Sequence, residues 1–155
     1  MTNEKGDTTF ALFSFRERIS ANSRKYWCVD SGASSSMSSD RSFFATLSPV
    51  KHNVYLADGR HAKVTGIGNG RLTCALSDGK VQHLEVRVVL YVPSLNESLL
   101  SVKMLDKAGY EIEIRKGVCT ISKRFFTGGS NLLACAKDNG ELYELDLVVH
   151  RMRSC

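Results

Sequence analysis

The stretch that most constrains the fold is Val81-Gln82-His83-Leu84-Glu85-Val86-Arg87-Val88-Val89-Leu90-Tyr91-Val92. Leu84, Val86, Val88, Leu90 and Val92 fall on one side of an extended backbone and Glu85 and Arg87 on the other. That two-residue period belongs to a half-buried strand. It recurs in Tyr110, Ile112 and Ile114 against Glu111, Glu113 and Arg115, and in Tyr143, Leu145 and Leu147 against Glu144 and Asp146. Turn signals separate the runs, at Asp58-Gly59 and at Ser77-Asp78-Gly79-Lys80. One short helix interrupts them: Ser101 caps Val102 to Ala108, Val102 and Leu105 share a face, and Gly109 supplies a left-handed terminator. Strands at short intervals, two prolines and a lone helix predict an all-β, closed, barrel-like domain rather than an α/β one.

A chain of 155 residues suits one domain, large enough to bury roughly 70% of its unfolded surface. Its 43% hydrophobic and 24% charged residues are those of a globular protein. No apolar run approaches the roughly 18 residues of a membrane span, and the N-terminus lacks the pattern of a secretion signal, so an intracellular protein without a membrane partner is expected. The five cysteines are odd in number and widely spaced, which argues against a disulfide framework. No CxxC or HxxxH pair joins them to His52, His61, His83 or His150, and no metal is expected. The net charge of +5 is scattered, with short clusters at Arg16/Arg18, Arg24/Lys25, Lys123/Arg124 and Arg151/Arg153. This reads as a solvated surface, and nucleic acid is not an expected partner. Residues 1–24, polar apart from Phe10 to Phe15, read as a linker or N-terminal arm, 25–147 as the folded domain and 148–155 as a basic tail.

The chemistry is concentrated in Trp27-Cys28-Val29-Asp30-Ser31-Gly32-Ala33-Ser34, an apolar strand that delivers an acid into a tight Ser-Gly turn. Gly32 permits close backbone approach, so amide N–H groups can point at the Asp30 carboxylate, and the Ser31 hydroxyl can bond across to backbone. Two such loops face to face would hold two carboxylates that cannot both ionise. One would activate water while its partner protonates the scissile amide.

Asp30, Ser31, Gly32 and Ala33 resemble the D-[ST]-G-A turn of retropepsins, and Trp27 to Ser34 is similar to the W-x-x-D-S-G-A-S pattern of copia-type retrotransposon proteases. Later segments follow in the family's order. Val54 to Val64, turning at Ala57-Asp58-Gly59-Arg60, stands in the place of the substrate-covering flap. Leu99-Leu100-Ser101, leading into the helix, resembles the element that supports the catalytic loop, with Ser101 where other retropepsins have Gly. The resemblance covers about residues 26–114. It implies a retropepsin-like closed β-barrel with one short supporting helix and a β-rich C-terminal extension. It also implies peptide-bond hydrolysis without a cofactor by a homodimer sharing two Asp30 carboxylates. The substrate would be the element's own polyprotein, in the cytoplasm or within virus-like particles. The alternative is a domesticated, non-proteolytic domain that keeps the fold for dimerisation or peptide binding.

Other readings of the same residues are weaker. Asp-Ser-Gly alone is also a common β-turn, and Asp30 to Ser35 has the form of a phosphorylated degron, but the apolar residues before Asp30 favour packing. Gly66-Ile67-Gly68-Asn69-Gly70 has the wrong spacing for a phosphate loop and precedes a strand, so it reads as a bend or bulge. Ser34 to Ser36 lack the surroundings of a nucleophile and read as polar filler. Trp27 reads as core.

Overall fold

The computed structural model describes residues 26–148 and the backbone of Phe10–Ala11. The rest of the arm, nearly all of the tail, and with them Arg16, Arg18, Arg24, Lys25, His150, Arg151, Arg153 and Cys155, lie outside the described residues. In chain order the strands are β1 (Phe10–Ala11), β2 (Trp27–Asp30), β3 (Met37–Ser38), β4 (Phe44–Leu56), β5 (His61–Ala75), β6 (Val81–Tyr91) and β7 (Ser98–Ser101). Helix α1 (Val102–Lys107) follows, then β8 (Tyr110–Arg115), β9 (Val118–Arg124), β10 (Ser130–Asp138) and β11 (Tyr143–Leu145).

The two long hairpins are made by the same local chemistry. In Leu56 to Arg60 and in Leu76 to Lys80 the leucine carbonyl accepts from the glycine N–H, at 3.0 Å in each, and the leucine N–H donates to the fifth residue's carbonyl. The aspartate Oδ1 accepts that fifth residue's N–H at 2.9 Å in both. Gly59 and Gly79 take φ of +83° and +82°, a conformation that costs a side-chain-bearing residue but not glycine. The three antiparallel strands β4, β5 and β6 that result join one eleven-stranded sheet in the order β1-β4-β5-β6-β3-β7-β2-β11-β10-β9-β8. The fold is therefore all-β with one short helix.

The sheet rolls onto itself. Cys74 bridges Leu147, the Ala75 N–H donates to the Asp146 carbonyl at 2.9 Å, and the Tyr110 hydroxyl donates to the Glu85 carbonyl at 3.1 Å. These contacts carry the C-terminal strands across β5 and β6. Between the end strands β1 and β8 no ladder forms among the described residues, so the expected barrel is drawn together by this bridge and by packing.

Strand β2 is buried on both faces, and its alternate residues enter different cores. Trp27 and Val29 join Phe43, Phe44, Leu100 and Ile121, where Trp27, Phe43, Phe44 and Tyr91 form an aromatic chain with ring centroids 4.8, 5.0 and 5.4 Å apart. Cys28 joins Met37, Val54, Val64, Leu90 and Leu99. The expectation that Trp27 is core holds, at 1% exposure.

One strand departs from its simple period. Gly68 pairs with Val89 but Gly70 with Val86, leaving Arg87 and Val88 opposite Asn69 alone. This is a β-bulge. Val88 takes φ of +56° and stands exposed, Val89 takes the interior, and the Asn69 Oδ1 accepts the Val88 N–H at 3.0 Å. The placement of Val88 on the buried face is thus corrected, because the extra residue reverses the alternation beyond Val86. The glycine-rich segment, expected to be a bend or bulge, is instead the strand opposite the bulge, and its glycines let β4 approach closely. A Cβ on Gly68 would lie 1.8 Å from the Thr46 carbonyl oxygen.

The helix follows its sequence signals. Ser101 is its N-cap, with Oγ accepting the Met104 N–H at 3.2 Å, and Gly109 takes φ of +88° beyond Ala108. Among the described residues no helix is long and apolar enough to cross a membrane.

Candidate active site

Strand β2 runs parallel to β7 in a register that sets Asp30 beside Ser101, Val29 beside Leu100 and Cys28 beside Leu99. The two strands therefore end together, and each hands its last polar residue to a turn. The Asp30 side of this pair is nearly closed to solvent, at 5% exposure. Its Oδ1 accepts the Gly32 N–H at 2.8 Å, whereas its buried Oδ2 has no hydrogen-bond partner among the described residues. Burial raises the carboxyl above its ordinary value of 3.8, against the opposing pull of the Gly32 and Ala33 N–H groups. An acid so placed is biased toward its protonated form, and one of its oxygens is buried without a hydrogen-bond partner among the described residues.

The turn is held by Ser101. Its hydroxyl donates to the Ala33 carbonyl at 2.6 Å while accepting the first turn of α1, and its N–H donates to Ser36 Oγ at 2.9 Å. Ser31, expected to reach across to backbone, is exposed instead, Gly32 is half-buried, and Ala33 is buried. Leu99 and Leu100 are fully buried, one in each core. The structure thus brings Asp30 to Ala33 and Leu99 to Ser101 into one unit.

Ser36 corrects the reading of Ser34 to Ser36 as filler, since it is fully buried and bonds the support element. Ser38 behaves likewise, its Oγ lying 2.7 Å from Ser98 Oγ while it accepts the Asp40 N–H. The available signal was the spacing: Ser36 and Ser38 flank the apolar Met37 in strand phase, and both hydroxyls meet β7, one at the Ser101 N–H and the other at the Ser98 hydroxyl.

The hairpin tip Ala57 to Arg60 is exposed and tied within itself by Arg60 Nε to Asp58 Oδ2 at 2.6 Å. The Arg60 N–H and side chain hold the Asp58 carboxyl below its usual value. Arg60, with Leu56 and Ala62 beside the tip, lines a half-open pocket of about 340 Å³ whose other residues include Leu95, Glu97 and Leu99. Glu97 went unremarked in the sequence. It is 5% exposed, and its Oε2 accepts the Cys28 thiol at 3.3 Å.

Among the described residues no three His, Cys, Asp or Glu side chains are grouped to hold a metal. A family model described as Pol polyprotein, beta-barrel domain, matches residues 27–110, from the start of β2 to the first residue of β8. No curated protein and no solved structure matches the chain.

Proposed function

The chain belongs to the Pol polyprotein beta-barrel domain family, and from that premise we propose that it is the aspartic protease of a copia-type retrotransposon polyprotein. In this reading it cleaves peptide bonds as a homodimer. The observation that carries the proposal is the state of Asp30: one oxygen is fixed by the Gly32 N–H and the other is buried without a partner. A buried carboxylate oxygen left bare is costly. A two-fold axis beside the 30–33 turn would bring the second copy's Asp30 to it, and two carboxyls at that range share one proton. The ionised one takes a proton from water as the water attacks the scissile carbonyl, and the protonated one delivers its proton to the leaving amide nitrogen. The chain carries a single Asp-Ser-Gly turn, so the second acid comes from a second copy. Asp58 and Asp78 are occupied as turn residues. The substrate in this proposal is the element's own polyprotein, cut in the cytoplasm or within virus-like particles.

The test is a pepstatin-sensitive cleavage assay at mildly acidic pH. Activity should vanish in Asp30→Asn, specific activity should fall on dilution, and excess Asp30→Asn subunits should poison the wild type through mixed dimers. Binding of peptides without turnover in any condition would favour the non-proteolytic alternative. Turnover that survives Asp30→Asn would end the protease reading.

A further inference from the structure

We propose that the cleft between the β6 bulge and α1 docks an acidic segment of a partner polypeptide, with an apolar side chain seated inside it and carboxylates at its cationic mouth. The proposal is independent of the protease reading, and none of residues 30–33 lines this cleft. About 480 Å³ is enclosed where three elements meet: Arg87 and Val88 come from β6, Met104 and Lys107 from α1, and Tyr110 and Lys123 from the β8–β9 pair. The first support is the bulge. Consecutive side chains of a regular strand point to opposite faces, so a cation and the apolar residue after it would be divided between them. Here Val88 takes φ of +56°, a conformation that strains a β-branched residue, and the Asn69 Oδ1 holds it there by accepting the Val88 N–H at 3.0 Å. Arg87 and Val88 are in consequence both exposed, and both line the cleft. A guanidinium and an apolar side chain thus stand on one wall, and backbone strain of this kind collects at ligand sites.

The second support is charge. The lining carries three cations, Arg87, Lys107 and Lys123, and one acid, Glu85. That acid is taken by Arg71, whose Nε lies 2.7 Å from its Oε1. Arg87 and Lys107 make no ion pair among the described residues, and the Lys123 ammonium stands 5.5 Å over the Tyr110 ring. Beneath these charges the floor is apolar, since Val86 and Leu105 are buried and Met104 is half-buried. Such a cleft suits a ligand divided in the same way, apolar where it enters and anionic at its edges. A nucleic acid presents a continuous row of phosphates, for which three cations round an apolar floor are a poor match. A small inorganic anion would leave the floor unused. A second copy of this chain, with its net charge of +5, would bring cations to cations.

The test is fluorescence anisotropy with the whole chain at neutral pH and three fluorescein-labelled octapeptide pools, of Glu with Leu, Gln with Leu, and Glu with Ser, each in random order. The Glu/Leu pool should bind about tenfold tighter than either of the others, and its advantage over Gln/Leu should shrink as salt rises from about 50 to about 500 mM. Arg87→Glu combined with Lys107→Glu, both on exposed side chains, should erase the preference for Glu over Gln. Val88→Gly separates docking from folding. Glycine accepts φ of +56° without strain, so the melting temperature should hold or rise while binding of the Glu/Leu pool weakens about threefold or more. A Glu/Leu pool that binds no tighter than either of the others, a preference that survives the double charge reversal, or a Val88→Gly protein that binds as wild type overturns the proposal. So does a short mixed-sequence single-stranded RNA that binds more tightly than the Glu/Leu pool and is released by the charge reversal, since the cleft then belongs to nucleic acid.

Discussion

Replacing Ser101 by Ala removes two bonds whose worth can be estimated separately. The hydroxyl caps α1 through the Met104 N–H at 3.2 Å, and losing such a cap costs about 1 kcal/mol. It also donates to the Ala33 carbonyl at 2.6 Å, and a buried carbonyl left bare costs roughly 1–3 kcal/mol. The sum is about 2–4 kcal/mol, which in a chain of 155 residues lowers the melting temperature by roughly 5–15 °C at about 2–4 °C per kcal/mol. Ser101→Gly separates the parts, because glycine is nearly as good a cap as serine and forfeits only the tie to Ala33. It should fall between wild type and Ser101→Ala. Ser36→Ala strips the acceptor from the Ser101 N–H at 2.9 Å, and combined with Ser101→Ala its cost should be less than additive, since both act on one junction. Thermal and urea unfolding of the three single variants and the double variant supply every number. A Ser101→Ala protein that melts within about 2 °C of wild type would refute the claim that this hydroxyl binds the 30–33 turn to the helix.

Three further outcomes are expected. Asp30 keeps its proton to a higher pH when folded than its ordinary value of 3.8 allows when unfolded. Its contribution to stability is therefore complete below that value and is lost as pH rises through the folded one. Urea midpoints of Asp30→Asn minus wild type should grow as pH is raised from 3 toward neutrality, and a flat or falling difference contradicts the burial argument. Gly68→Ala, whose Cβ would press on the Thr46 carbonyl at 1.8 Å, should cost more than about 3 kcal/mol in denaturant titration. Gly79→Ala, in open space at φ of +82°, should cost only about 1–2 kcal/mol. The Cys74 thiol is pushed up to about 12 by burial, so iodoacetamide at pH 8 should leave it unmodified until the chain unfolds, as peptide mapping would reveal.

What could be read in advance was local. Asp58-Gly59 and Asp78-Gly79 specify their hairpins within five residues, and Ser101 with Gly109 brackets the helix, because each of these motifs satisfies its own backbone groups. Val88 escaped because a bulge is decided by the partner strand. Nothing in Val86 to Leu90 announces that Asn69 will face two residues and accept the Val88 N–H. Sheet order escaped for a related reason. That β2 lies between β7 and β11, and that β3 separates β6 from β7, depends on long-range pairing and not on any residue pattern.

The site divides along the same line. Asp30 stood out because it ends an apolar strand before Ser-Gly and is followed by the later segments in order, and the structure buries it at the end of that strand. Its support was half legible: Leu99, Leu100 and Ser101 could be placed by order in the chain, but Ser36 could not, since its bond to the Ser101 N–H spans 65 residues. Glu97 was the least legible of all, being an acid in a polar loop that is buried against Cys28, 69 residues away in the chain. Residues that carry chemistry by type are thus visible from composition and order. Those that acquire it from burial, as a carboxylate does when apolar walls replace water, become visible only once the sheet has rolled.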